Sequence, residues 1–508
     1  MDQLEKKGEI EKIVRSLAKY SEKVLMILGG KNEPSAVNYK IGPSLIFERL
    51  WEESGIKAAI KEQLQKRKYS FSVERALFLT VLHRLLMPGF DRSCNRWRRD
   101  YRIVGTKKLQ LHNLYRAMAW LGEELTEQKE ANVLGPRCTK DLVEESLFKR
   151  NRDLFSSLDL VFFDTTSIYF EGRGGESLGK LGKSKDHRSD LNQMVVGAVL
   201  DNNGRPISCE MWAGNTADVT TLTPVVDRLK ERFSINSFCV VADWEMISKK
   251  TIASLEERSL SYILGVRMRK VNQARLLVAS NQDISTYEEV YPESKKSKAP
   301  APLKVNDVTI DGRRYILCYN SRQARKDKAD RESILESLRE KLTSNAGSLR
   351  GNKGYRKYLK IDKESVTINE EKIKSEETFD GKWVLQTNLH WPARDIALKY
   401  KELWQVENVF RDTKSLLDTR PIFHQRDYTI SGHVFCSFLA LVLRKELERC
   451  LEENGYEYEW AEIKRDLSAL QETEIEENEK KIIIRSKCQG VCSNIFQAVG
   501  VALPATIR

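Results

Sequence analysis

Three carboxylates stand in settings that could do chemistry: Asp164, Asp243 and Glu407. Asp164 closes the apolar run Leu158-Asp-Leu-Val-Phe-Phe163 and is followed by Thr165-Thr-Ser167; Asp243 closes Phe238-Cys-Val-Val-Ala242 in the same way. Short aromatic and branched runs of this kind read as buried strands, and open sheets place their chemistry where such strands end. A lone strand-end Asp more often caps the next turn, but a matching pair weighs against that. Glu407 belongs to a helical stretch that Pro392 opens and that is expected to continue to about Leu417. On such a helix Tyr400, Leu403, Glu407, Arg411 and Lys414 fall within about 80° of one another, opposite Leu398, Val406, Val409 and Leu416. Glu and Arg four residues apart are commonly only a surface pair; an acid aligned with an aromatic and two bases says more. Carboxylates alone suit Mg²⁺, which prefers oxygen ligands, so a site of this type needs neither His nor Cys.

The elements that must position these acids follow in order. A strand over Met194 to Leu200 turns at Asn203-Gly204 into Pro206 to Glu210, and Asp218 caps a helix running to about Glu231. The strand at Asp243, a helix over Ser248 to Glu257 and a strand over Tyr262 to Gly265 complete the order β-β-β-α-β-α-β. That is the order of a ribonuclease-H-like domain, an α/β fold whose first and fourth strands are neighbours and would bring Asp164 and Asp243 together. Between the first two strands lies a loop rich in glycine and base that holds Lys185, His187 and Arg188. It is not a Walker phosphate loop: after Gly179-Lys180 stands Leu181 where Ser or Thr must meet magnesium, and Gly182-Lys183-Ser184 lacks the leading glycine. A mobile basic loop beside an acidic site is the expected role.

The chain divides on this reading into a helical N-terminal DNA-binding region (1–150), the first part of the core (151–271), a mostly β insertion (272–385), the second part of the core with the Glu407 helix (386–447) and a C-terminal region (448–508). Residues 1–40 read as a charged amphipathic helix and a loop, and Ser72 as the N-cap of a helix through Ala76 and Leu82. Asp91 to Asp100 carries four arginines around one Trp, which suits a DNA backbone or equally a solvated charged face. The insertion holds one charged helix near 330–342 and lysine-rich segments at 295–298 and 353–357.

Lys and Arg (85) exceed Asp and Glu (73), a net charge of +12 that points to a polyanion, nucleic acid ahead of a membrane surface. The first 31 residues are too charged for a signal peptide, and the apolar run 434–443 is too short to span a bilayer. The nine cysteines form no C-x-x-C pair and the six histidines no zinc-finger spacing, which suits reduced thiols in a cytoplasmic protein.

The stretch Tyr400-Lys-Glu-Leu-Trp-Gln-Val-Glu407-Asn-Val-Phe-Arg411-Asp-Thr-Lys414 resembles the C-terminal signature of bacterial insertion-sequence DDE transposases, in which Tyr, Arg, Glu and Lys recur at this spacing. Asp164-Thr-Thr-Ser, Lys185-Asp-His-Arg188, Gly214-Asn-Thr and Ala242-Asp243 are similar to that family's first and second Asp regions, so the resemblance covers roughly residues 150 to 450. It implies that Asp164 bridges two Mg²⁺ ions, with Mn²⁺ able to substitute, and that Asp243 and Glu407 each complete one. It further implies DNA cleavage and strand transfer at transposon ends, with terminal inverted repeats and target DNA as partners and a homodimer on DNA, in a bacterial cytoplasm at the nucleoid. Lys414 and Tyr400 would hold backbone phosphates, with Lys185, His187 and Arg188 also at the DNA; Arg411 is a further contact on helix geometry alone. Two departures stand out. Leu403 occupies the signature's Arg position, on the face of Glu407, so Leu403→Arg is expected to tighten end binding unless Leu403 is packed. Trp244-Glu245 adds a carboxylate after Asp243. A silent DNA-binding descendant and a metal-dependent nuclease are the other readings.

Overall fold

The computed structural model describes residues 35–65, 67–126, 128, 135–151, 159–235, 237–291, 302–345, 356–361, 366–416, 419–477 and 480–508. The amphipathic helix expected near the N-terminus, the lysine-rich segment 295–298 and residues 353–355 of the segment 353–357 lie outside them, while Ser35–Lys40, expected to be loop, is a strand. The chain forms two units, one of residues 1–122, 416–419 and 431–508, the other of 123–415 and 420–430.

In the first unit, Val73–Leu86 is buried along almost its whole length, and Ser72 caps it by accepting the Arg75 N–H at 3.3 Å. A helix buried on all sides must satisfy its polar groups internally. Trp51 donates to Glu74 at 2.7 Å, and Arg84 donates to Ser437 at 2.8 Å and to Asp91 at 3.2 Å. The arginine-rich segment folds as the helix Asp91–Trp97 and a short turn. Its Trp97 lies in the core against His83 and Tyr101, and of its four arginines Arg92, Arg96 and Arg99 are exposed while Arg98 is half-buried. The strand Ser35–Lys40 pairs antiparallel with Gln471–Glu477, which pairs with Lys480–Arg485. Residues 35–40 and 471–485, far apart in sequence, therefore share one sheet.

The second unit begins with α1 (Thr139–Arg150), placed by sequence reading at the end of the N-terminal region. It is bound here by buried charge: Arg232 on α2 (Leu222–Phe233) reaches Glu144 at 2.7 Å and Glu145 at 2.9 Å, and Lys140 donates to the Cys209 carbonyl at 2.8 Å. Strands β1 (Leu160–Tyr169), β2 (Gln193–Leu200), β3 (Pro206–Ala213), β4 (Cys239–Ala242) and β5 (Ser261–Gly265) take the order β3-β2-β1-β4-β5. β1 to β3 are antiparallel, whereas β4 runs parallel to β1 and β5. This is consistent with the ribonuclease-H-like core. Phe163, Val240 and Ala242 pack with Val225, Val226 and Leu229 of α2 and with Ile252 and Leu255 of α3 (Lys249–Glu257).

The insertion corrects one expectation: it is mixed rather than mostly β. It holds α4 (Asn272–Ser280), β6 (Glu288–Val290), β7 (Leu303–Ile310), β8 (Arg313–Tyr319), α5 (Ser321–Asn345), β9 (Leu359–Ile361), β10 (Val366–Ile368) and α6 (Glu370–Glu377), before β11 (Lys382–Thr387). The charged helix expected over 330–342 is 25 residues long, because Asn320 caps it early and Leu335 and Leu338 pack on Tyr358, Leu359 and Ile373. Four strands of this region, β11, β8, β7 and β6, continue outward from β5 into a nine-stranded sheet, whereas β9 and β10 pair with each other as a separate two-stranded sheet.

The helix expected from Pro392 to Leu417 is also broken. It runs as α7 (Ala393–Lys401), a tight step at Glu402 and Leu403, α8 (Trp404–Arg411) and a π-helical turn over Asp412–Leu416. At the step the bonds shorten to three residues, Leu403 N–H to Tyr400 and Val406 N–H to Leu403.

Candidate active site

The register Phe163↔Ala242 makes Asp164 and Asp243 the next residues on two neighbouring parallel strands. Asp164 accepts the Thr165 N–H at 2.7 Å, and Asp243 accepts the Tyr400 hydroxyl at 3.1 Å. Tyr400 comes from α7, and Gly265 at the end of β5 makes room for it: a Cβ there would run into the Tyr400 hydroxyl. Tyr400, implied as a phosphate contact, donates its hydroxyl to Asp243 in this structure.

Around Asp164 gather Asp218, Glu245 and Lys185. The Lys185 ammonium donates to the Thr165 carbonyl at 2.8 Å and lies 3.5 Å from Asp218 and 3.6 Å from Glu245. Asp164 is 3.9 Å away. Thr165 Oγ1 donates to Asp218 at 2.7 Å, and Lys183 pairs with Glu245 at 2.7 Å. Burial pushes the Asp164 carboxyl up to about 7, against the pull of Lys185, and the Asp243 and Asp218 charges add to the rise. Burial raises Asp243 as well, with the Tyr400 hydrogen bond working the other way. Burial works against the Glu245 charge, yet Lys183 and Lys185 together hold its carboxyl below the usual range. Beside this cluster a cavity of about 280 Å³ is lined by Thr166, Lys183, Lys185, Asn215, Thr216 and Arg267, among others. Its lining sets these bases beside Asp218 and Glu245 and beside the apolar Val195, Ala217 and Val219.

The basic loop expected to be mobile is anchored. Asp427 accepts from the Glu176 N–H at 3.0 Å and from the Ser177 N–H at 2.8 Å, and Lys180 bridges to Gln193. Ser167 Oγ accepts the Lys185 N–H at 2.8 Å, which aims that side chain inward. His187 and Arg188 are exposed, the latter paired with Asp190 at 2.9 Å. Lys414 donates to Asp186 at 2.8 Å, and Arg420 pairs with the same carboxylate. Burial lowers the Lys414 ammonium below its usual range, against Asp186.

Glu407 is exposed in the first turn of α8, which packs on β1 and β2, and Arg411 is exposed in its last turn. Among the described residues, Asp164, Asp243 and Glu407 do not bring three carboxylate oxygens within reach of a single ion. Leu403 is 7% exposed, so the expectation that Arg at this position would meet DNA is corrected: the break after α7 turns residue 403 inward. Asp218 and Glu245 were legible only as a helix cap and as an added acid; nothing local shows that Lys185 gathers them.

The donors around Asp164 and Asp243 are carboxylates whose negative charge exceeds the cation beside them, which fits a hard, oxygen-seeking divalent ion. An α/β sheet of this order, with Asp164 inside β1 (which runs on to Tyr169 rather than ending at the acid) and Asp243 just past β4, side by side where the parallel pairing stops, is consistent with an acidic site of the ribonuclease-H-like kind. Residues 156–443, more than half of the chain, match the family described as Transposase DDE domain, and the chain belongs to that family. No curated protein matches it.

Proposed function

We propose that this protein cuts DNA at the ends of a transposon and joins them to target DNA. The observation that carries the reading is the pairing of Asp164 and Asp243 by strand register inside a transposase DDE domain. Asp164, Asp243 and Glu407 would hold two Mg²⁺ ions, with Mn²⁺ able to stand in. Bound there, such ions activate the attacking oxygen and stabilise the leaving one in an in-line displacement at a phosphodiester. Tyr400 orients Asp243 through its hydroxyl. Lys183, Lys185 and Arg267 supply positive charge where a phosphate would enter, and Arg411, Lys414, His187 and Arg188 would meet the backbone of double-stranded DNA. The partners on this reading are terminal inverted repeats and target DNA, bound by a homodimer. Among the described residues no helix is long and apolar enough to cross a membrane.

The test uses a duplex carrying the inverted repeat that flanks the coding region. Mg²⁺ or Mn²⁺ should support cleavage and joining, and Ca²⁺ binding only. Cleavage that persists in excess EDTA would remove the metal reading. Cleavage without joining would leave a nuclease.

A further inference from the structure

The carboxylate cluster already holds a cation of its own. Lys185 Nζ lies within 4 Å of Asp164, Asp218 and Glu245 and is fixed by the Thr165 carbonyl. The neighbouring residue points elsewhere: Asp186 takes Lys414 and Arg420, and its second oxygen is buried without a hydrogen-bond partner. One step of the loop therefore links the acidic cluster to Lys414, a backbone contact on the proposed reading, and to Arg420 beside it.

We propose that Lys185 is an internal counter-ion that keeps divalent metal out of the site until DNA phosphates draw Lys414 and Arg420 away from Asp186 and free the loop. The inference rests on the proposed metal site and concerns when that site fills. An ammonium and a metal ion compete for the same carboxylate oxygens, and at such separations in a half-buried site they also repel strongly. Phosphate oxygens compete with Asp186 for Lys414 and Arg420 in the same way, and Arg meets them with a two-pronged geometry. Such an interlock makes metal loading and DNA binding cooperative, so that hydrolytic competence is withheld from the free protein.

The test is Mn²⁺ binding to the whole chain without DNA, followed by the paramagnetic resonance of the free ion. Lys185→Met keeps the stem and removes the charge, and should tighten Mn²⁺ binding by at least about tenfold. Lys183→Met removes an exposed lysine from the same Glu245 and should change it far less. Asp186→Asn, which loosens the loop and leaves the cluster intact, should shift affinity in the direction of Lys185→Met and serves if that variant does not fold. A folded Lys185→Met protein that binds Mn²⁺ no tighter than wild type, an equal gain in Lys183→Met, or an Asp186→Asn protein indistinguishable from wild type would each overturn the interlock. Absence of Mn²⁺ binding in wild type and Lys185→Met alike would instead overturn the metal site beneath it.

Discussion

Tyr400 and Gly265 show how a single side chain is given its task. The hydroxyl reaches Asp243 because position 265 has no Cβ. Tyr400→Phe should therefore reduce metal affinity or cleavage about ten- to a hundredfold, as loss of an orienting partner commonly does, with little change in Tm. Gly265→Ala should act in the same direction by displacing the hydroxyl; a Gly265→Ala protein with unchanged metal affinity would show that the bond is incidental. At Leu403 the expectation reverses. Arg there must be buried, so Leu403→Arg should lower Tm and leave the salt dependence of DNA binding no steeper than in wild type. The two aspartates were legible because an apolar run that stops at an acid is a local signal, but the strand end expected at Asp164 was not found: β1 runs on to Tyr169 because Thr165 to Tyr169 stay paired with β2. The burial of Leu403 was not, because one continuous helix and a helix broken at 402 carry the same apolar spacing.

Among elements, α1, α2 and β3 are joined by charge rather than by apolar contact alone. Arg232 meets Asp141, Glu144, Glu145 and Glu210, and Arg228 pairs with Glu210. Arg232→Met leaves buried acids uncompensated and should cost about 3–5 kcal/mol by urea unfolding. This network has no sequence signature, since charged residues on α1 read as a solvated face. The helix Val73–Leu86 carries a second expectation. Burial lowers His83 to about 4, with Asp91 opposing and Arg84 adding to the drop. The unfolded imidazole takes its proton near its ordinary value, so the unfolded state binds more protons between about 6.5 and 4. Stability is whole above that window and is lost as pH falls through it, by about 3 kcal/mol in all. His83→Gln should flatten the pH dependence measured by urea unfolding between pH 7 and 5; an unaltered slope would show that other groups set it.

At the scale of the molecule, a sheet made from residues 35–40 and 471–485 ties segments distant in sequence into one unit. Gly42 packs against the Leu467 carbonyl so closely that a Cβ would collide with it. Removing residues 454–508 should therefore unfold the unit that holds the N-terminal helices, which loss of its melting transition would report. Pairing between segments so distant in sequence leaves no local trace, whereas the five-strand core was readable because each strand was bounded by its own turn or helix. The remaining claim, that the acids do the chemistry, is tested most directly by one comparison. Asp164→Ala, Asp243→Ala and Glu407→Ala should each bind the repeat-bearing duplex about as wild type does and each fail to cut it in Mg²⁺. Any one variant that cuts at close to the wild-type rate would contradict the assignment of that residue, and with it the site built around the paired aspartates.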